Sequence, residues 1–171
     1  MTAQITDTRA EPPMVGGERE TLNGFLDYLR GTVVMKATGL TDEQARRQLV
    51  PSELTTVATL LAHLRWVEHY WFGVVLDGKP DEWADRFEED SDAEFRVGLE
   101  VPLDQLIADY EAECAAGRAV VANRELDDQG TTGRGKPVTV RWVLVHMIEE
   151  TGRHAGHLDL LRELLDGSTG E

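Results

Sequence analysis

Residues 143–165 read VLVHMIEETGRHAGHLDLLRELL, and the spacing of the apolar letters predicts one long amphipathic helix over about residues 138–165. On a helical wheel of about 100° per residue, the apolar side chains form one stripe: Val143, Met147, Leu158, Leu161, Leu164 and Leu165. Polar side chains share that stripe: His146, Glu150, His154 and His157. A polar group on a core-facing surface costs free energy unless a partner satisfies it. This helix therefore predicts a helical core that contains a polar site.

Three more helical patterns precede this helix, and no convincing strand accompanies them. The first covers about residues 18–38, the second about 55–76, and the third begins at Pro102. The connections at 39–54 and 77–101 are long enough to cross over the ends of the helices. The predicted fold class is therefore all-α, a four-helix bundle with long crossover connections.

The two ends of the chain lack this periodicity. Residues 1–16 are polar and are interrupted by proline and glycine, which favours a flexible N-terminal tail. We expect one bundle domain over residues 17–167, because 171 residues suit a single hydrophobic core. Residues 168–171 are expected to form a short C-terminal tail.

The composition excludes several classes of function. The formal net charge is −15 and the 17 Lys and Arg residues are scattered, so binding to nucleic-acid phosphates is not expected. No stretch approaches the roughly 20 apolar residues that a membrane span needs. Cys114 is the single cysteine, which rules out a disulfide within the chain and fits a reducing cytoplasm.

One acidic segment stands out in the second long connection. Residues 81–94 hold eight acidic residues against Arg86. We interpret this segment as an exposed loop or short helix rather than a functional site. If the segment is exposed, its aromatic residues Trp83 and Phe87 are exposed as well. Exposed aromatic residues are the one sequence feature in favour of a homodimer.

Histidines on apolar helix faces point to a metal site. His63 lies in LLAHLRW, residues 60–66, on the apolar face of the second helix. Glu150 and His154 are four residues apart and therefore project side by side. Three protein ligands with one coordination position left open are typical of a catalytic metal. Each residue alone also fits a plain reading, since a lone core histidine is more often hydrogen-bonded than metal-bound.

Two stretches resemble a known family. They are LLAHLRWVEHYWF, residues 60–72, and VHMIEETGRHAGHLDLLR, residues 145–162. With them the chain resembles the DinB/YfiT-like superfamily over about residues 18–166, in the actinobacterial branch that includes mycothiol-dependent enzymes. The resemblance implies a DinB-like four-helix bundle with a metal held by three side chains near one end, and it also admits a homodimer.

The resemblance also implies roles for individual residues. His63 matches the first ligand of the family and His154 the last. Glu150 matches the middle ligand, which is histidine in many members and glutamate in the maleylpyruvate isomerase-like ones. His157 stands where many relatives carry glutamine, which suggests a supporting contact in the pocket. His146 matches no family residue and is expected to be a further pocket residue.

The implied activity is a metal-dependent transfer of mycothiol to small electrophiles, as in detoxification. A divalent metal would deprotonate the thiol co-substrate. Zinc is preferred because it suits two nitrogens and one oxygen, while nickel, manganese and iron accept the same donors. The alternatives are a mycothiol-dependent isomerase, a bundle that binds a metal or small molecule without turnover, and a structural bundle without metal.

Aromatic residues near the predicted ligands are expected to line the pocket. Trp66 and Tyr70 follow His63 on the second helix, and Trp142 lies one turn before His146. Flat apolar rings suit an aromatic or apolar electrophile. Trp66, Tyr70, Trp142, His146 and His157 are therefore the residues predicted to contact the thiol or the electrophile.

Overall fold

The computed structural model describes Asp7 and residues 9–169. In chain order the helices are α1 (Glu18–Ala37), α2 (Asp42–Ala45), α3 (Val57–Glu68), α4 (Ala84–Glu89), α5 (Ala93–Glu100), α6 (Leu103–Ala122) and α7 (Val140–Asp166). The chain continues directly from α3 into a π-helix over His69–Leu76. Two short strands, β1 (Gln129–Thr131) and β2 (Pro137–Thr139), precede α7.

The four long helices form a bundle: α1, α3 with its π-helical continuation, α6 and α7. α1 packs along α7, and α3 packs against both α6 and α7. The short helices occupy the long connections, and α5 packs closely on α3. The predicted all-α, DinB-like bundle with long crossover connections is confirmed.

Threonine caps fix where two of the long helices begin. At the start of α3, Thr56 and Thr59 exchange backbone N–H to hydroxyl hydrogen bonds in a capping box. At the start of α7, the Thr139 hydroxyl accepts a hydrogen bond from the N–H of Trp142. Gly167 ends α7 in the left-handed region with φ of 74°, where glycine avoids strain. Because each cap fixes the residue at which its helix begins, it also fixes how far along the helix axis the later polar residues lie.

The buried face of α7 is broader than the stripe that the wheel predicts. Leu144, Thr151 and Ala155 are buried as well. Because the face extends in that direction, Leu164 lies at its opposite edge and is 59% exposed, which corrects the expectation that it belongs to the core. The polar residues of α7 lie toward the same edge, where His146, Glu150 and His154 are half-buried and His157 is exposed.

The expectation of no strand is wrong for residues 129–139. They form an antiparallel hairpin in which Gly130 pairs with Val138. A Cβ on Gly130 would lie 2.2 Å from the backbone oxygen of Val75, so only glycine allows the hairpin to approach the π-helix this closely. Strands of three residues are too short for an alternating pattern to reveal them.

The tails predicted at 1–16 and 168–171 fall partly outside the described residues, which exclude 1–6, 8, 170 and 171. In the described part of the N-terminal segment, Arg9 donates a hydrogen bond to the Thr32 hydroxyl over 2.7 Å. Its guanidinium carbon lies 4.3 Å from the centre of the Tyr28 ring. This segment therefore contacts α1.

Within the described part of the chain, no helix combines the length and the apolar character needed to cross a membrane.

Candidate metal centre

Three side chains from two helices converge where α3 faces α7. Oε1 of Glu150 lies 3.2 Å from Nε2 of His63 and 3.2 Å from Nε2 of His154. One possible ligand atom from each of the three residues lies within 4.8 Å of the other two. The structure thus brings together the three residues that the sequence predicts as ligands.

The group is shielded but can be reached. The side chains of His63 and His154 are each 12% exposed and that of Glu150 is 16% exposed. A fully enclosed cluster would exclude substrate, whereas an open surface cluster would hold a cation only weakly. Intermediate exposure suits a site that must admit a small molecule.

Electrostatics favour a positive charge at this point. Hydrogen bonds from His154 and His63 hold the pKa of Glu150 well below its usual range, so the carboxylate stays ionised. Burial by itself would lower the pKa of His63, but its hydrogen bonds with Glu150 and Glu94 outweigh burial and raise that pKa. Two imidazole nitrogens and one carboxylate oxygen are donors that divalent cations accept, so the residues present fit such an ion.

Each histidine of the group has its second ring nitrogen occupied. Nδ1 of His63 lies 3.2 Å from Oε1 of Glu94. Nδ1 of His154 lies 3.3 Å from Nδ1 of His157. In both rings, therefore, Nδ1 meets an outer partner while Nε2 faces Glu150. Without a cation, Nε2–H can donate to Glu150; with a cation in the site, a ring that donates through Nδ1–H would leave Nε2 unprotonated and able to bind it.

Glu94 corrects the interpretation of residues 81–94 as an exposed loop or short helix. It is 5% exposed and lies in the first turn of α5, against α3. The high density of acids in this segment predicts that all of them are solvated. The composition therefore gave no reason to expect that one of them, Glu94, is buried. A signal was present in Gly98, because a glycine in a helix can mark close contact with another backbone.

Two of the rings predicted to line the pocket lie close to His63, one member of the three-residue group. Trp66 lies 6.2 Å from the His63 ring and stacks on Tyr70 at 5.3 Å, between ring centres. Phe87 packs edge-on against Trp66 at 5.0 Å, and Trp83 lies 6.1 Å from Phe87. Trp83 and Phe87 are half-buried by these contacts, so the expectation that they are exposed is wrong. The homodimer stays a prediction, now without its support from the sequence.

The remaining predicted pocket residues continue this row of rings away from the ligands. Trp71 packs against Tyr70 and continues the row. Its ring centre lies 4.7 Å from that of His146 and 5.3 Å from that of Trp142. His146 stacks on Trp142 at 5.0 Å and lies outside the three-residue group. Trp142 is 48% exposed, so the row ends at the surface. The far end of the row, with Trp142 and His146, is therefore not part of the three-residue group.

The protein's own thiol is remote from this chemistry. Cys114 lies in the core on α6 and is 2% exposed. Burial, reinforced by the negative charge of Glu68, raises the pKa of the Cys114 thiol far above its ordinary value. A thiolate at the metal group would therefore have to come from a bound molecule.

Comparison with known proteins gives a family and a fold. The sequence model of the family described as mycothiol-S-transferase matches residues 21–167. A crystal structure of a conserved protein from Enterococcus faecalis aligns with a TM-score of 0.67 at 19% identity, covering 90% of this chain and 100% of that chain. At this identity the likeness concerns the fold alone. No protein of curated function matches the chain.

Proposed function

Since the chain belongs to the mycothiol S-transferase family, we propose that it joins mycothiol to small electrophiles with the help of a divalent cation. The observation that carries the proposal is the convergence of His63, Glu150 and His154, whose ligand atoms lie within 4.8 Å of one another. Detoxification in the cytoplasm is the proposed setting, because conjugation to a thiol removes reactive carbon centres.

His63 and His154 would hold the cation through Nε2, and Glu150 through a carboxylate oxygen. We prefer zinc, with nickel, manganese or iron as alternatives, because all accept nitrogen and oxygen donors. A divalent cation with an open coordination position lowers the pKa of a thiol that reaches it, and so supplies thiolate at neutral pH. Glu150 is the anionic member of the three ligands, so a divalent cation would keep part of its positive charge, which favours an anionic sulfur over a neutral one.

The reaction forms one bond at sulfur. The thiol proton leaves to water, which reaches the partly exposed group. The sulfur then bonds to the electrophilic carbon, and the leaving group departs with its electron pair. His157 would orient His154 during these steps by accepting a hydrogen bond from Nδ1–H.

Trp66 and Tyr70 are proposed to position the electrophile. Their stacked rings begin next to His63, and Phe87 packs edge-on against Trp66. Rings held in this way offer a flat apolar surface at little cost in conformational entropy. Aromatic or planar apolar electrophiles should therefore react best. Trp142 and His146 would contact only the longer substrates or the distal part of the thiol.

Glu150 favours a second candidate, a mycothiol-dependent isomerase. The resemblance described above associates glutamate at the middle ligand position with maleylpyruvate isomerase-like members. In that reaction the sulfur would add to the substrate and later leave, so the same three ligands would serve. Consumption of the thiol separates the two activities, because a transferase uses it up and an isomerase regenerates it.

The test uses full-length protein purified without a histidine tag, loaded with zinc and incubated with mycothiol and monochlorobimane. We expect fluorescent conjugate to form faster than the background reaction. The rate should disappear after chelation of the metal and in the variant His154→Ala. His69→Ala is the matched control, because His69 lies on the π-helix after α3 and contacts Glu113 rather than Glu150.

Two results would overturn the proposal in different ways. Bound zinc without a rate above background would leave a module that binds metal or small molecules without turnover. No bound zinc at all would leave a structural bundle, in which the carboxylate of Glu150 satisfies the two imidazoles directly.

A further inference from the structure

Glu94 occupies an unusual position for an acid from a strongly acidic segment. It is 5% exposed, and its Oε1 lies 3.2 Å from Nδ1 of His63. Its other oxygen, Oε2, is buried and has no hydrogen-bond partner among the described residues. A buried carboxylate oxygen without a partner costs free energy. Stability alone therefore does not explain an acid at this position.

The helix that carries Glu94 is fixed against α3 with little freedom. A Cβ on Gly98 would lie 2.4 Å from the backbone oxygen of Ala58, so the two backbones are in direct contact. The next residue, Phe95, lies flat on the His63 ring, with ring centres 4.3 Å apart and planes 5° apart. Glu94 thus contacts the edge of the imidazole while Phe95 covers its face.

From these contacts we infer that Glu94 is a positioning residue, which accepts a hydrogen bond from Nδ1–H of His63 and so holds Nε2 toward Glu150. The effect of Glu94 on metal binding rests on the proposed function, whereas the hydrogen bond between Glu94 and His63 does not. Histidine ligands commonly donate their second ring N–H to a carboxylate, which fixes the ring and strengthens its other nitrogen as a donor. The acidic segment 81–94 then serves the site through its last acid, while its other acids are exposed or half-buried.

His69 and Glu113 provide a matched comparison within the same molecule. Nδ1 of His69 lies 3.4 Å from Oε2 of Glu113, a similar half-buried pair of the same chemistry. This pair lies outside the three-residue group. A variant at Glu113 therefore reports the effect of losing a histidine–carboxylate contact without touching the proposed ligands.

The first measurement is zinc affinity by competition with a chromogenic chelator, for the full-length protein and the variants Glu94→Leu, Glu94→Gln and Glu113→Gln. We expect Glu94→Leu to bind zinc about 10- to 100-fold more weakly, the usual effect of losing such a partner. Glu94→Gln keeps an acceptor oxygen and should recover part of that loss. Glu113→Gln should bind as tightly as the unchanged protein. Equal affinity for all four would overturn the inference, even if Glu94→Leu changed the melting temperature.

The second measurement needs no metal. In the metal-free protein, the Nδ1 proton of His63 should be visible by 1H–15N NMR, because a buried acceptor slows its exchange with water. The signal should be lost in Glu94→Leu and kept in Glu113→Gln. If the unchanged protein bound no zinc but showed this signal, the proposed function would fail and the contact would stand. Absence of the signal in the unchanged protein would overturn the role of Glu94 whatever the metal result.

Discussion

Glu150 determines the charge of the three-residue group, because it is the anionic member among the three proposed ligands. Its Oε1 lies at the same distance, 3.2 Å, from a ring nitrogen of His63 and of His154. Hydrogen bonds with His154 and His63 lower the pKa of Glu150, so its surroundings favour the ionised carboxylate. Metal binding should therefore depend on the charge of this side chain as well as on its shape.

Glu150→Gln tests that dependence with an almost isosteric change. A neutral amide is a poorer ligand, so zinc affinity should fall by more than the about 10- to 100-fold expected for an outer partner of a ligand. Competition with a chelator measures it. Glu149→Gln is the control, since Glu149 is exposed and pairs with Arg153 on the surface of α7. Similar affinities for the two variants would contradict the assignment of Glu150 as a ligand.

Cys114 should be inert in the folded protein. Its thiol is buried and its raised pKa leaves almost no thiolate at neutral pH. Iodoacetamide should therefore label Cys114 slowly under native conditions and completely in denaturant, as followed by intact mass. Cys114→Ala should retain conjugating activity. Rapid labelling of the folded protein, or loss of activity in this variant, would indicate that the chain's own thiol takes part.

The residues of the site were not equally predictable from the sequence. Glu150 and His154 could be paired because helix geometry brings residues four apart to the same side. His63 could be added because it lies on the apolar face of another helix. Glu94 could not, since it reaches His63 from 31 residues away along the chain through an irregular connection. No periodic pattern specifies the path of such a connection.

At the scale of elements, α5 depends on one glycine. Gly98→Ala would place a methyl group 2.4 Å from the backbone oxygen of Ala58, and a helix backbone cannot give way locally. We expect unfolding free energy to fall by about 1–3 kcal/mol, as in other overpacked contacts. Zinc affinity should fall as well, because Glu94 moves with α5. Urea denaturation and chelator competition measure the two effects.

Gly156→Ala is the control for this experiment. Its Cβ would meet no atom within 4 Å, and alanine is the better helix former by about 1 kcal/mol. Stability should therefore stay the same or rise. If Gly98→Ala behaved like Gly156→Ala, the close contact between α5 and α3 would be wrong.

A buried ion pair joins α1 to α3. Arg30 donates to both carboxylate oxygens of Glu68, over 2.7 Å through Nε and 2.6 Å through Nη2, and both side chains are buried. Burial works against the charge on Arg30, but Glu68 more than compensates and raises the pKa of Arg30. Removing one partner leaves the other charge buried, which typically costs about 3–5 kcal/mol.

Glu68→Gln should therefore destabilise the protein by about that amount in urea denaturation. Asp27→Asn should cost less, because the side chain of Asp27 is 42% exposed and solvent screens its contact with the same arginine. The double variant Arg30→Met with Glu68→Leu should recover most of the lost stability, since apolar side chains fill the space without a buried charge. Equal losses for Glu68→Gln and Asp27→Asn would contradict the importance of the buried pair.

The elements themselves show what local patterns can and cannot predict. Four long helices followed from apolar spacing, because each buries a continuous face. The π-helix at His69–Leu76 consists mostly of apolar residues, which an α-helix would accept equally well. The spacing of apolar residues therefore does not distinguish the two kinds of helix here. The hairpin at 129–139 depends on the contact between Gly130 and the backbone oxygen of Val75, which only tertiary packing creates.

For the whole molecule, the bundle provides a rigid frame with a polar group at the edge of its core. Two helices supply the three proposed ligands, and a third, short helix supplies the supporting carboxylate. The net charge of −15 does not oppose this arrangement, because the charged groups that contact His63 are the carboxylates of Glu94 and Glu150, which favour a cation. The account depends on whether this group binds a cation.

The direct test is the metal content of full-length protein purified without a histidine tag, by inductively coupled plasma mass spectrometry. We predict about one divalent metal ion per chain in the unchanged protein and in His69→Ala. We predict almost none in His63→Ala, because the ion would lose one of its three protein ligands. Circular dichroism would confirm that His63→Ala is folded. Equal metal content in His63→Ala and the unchanged protein, or no metal in any of the three, would contradict the metal centre.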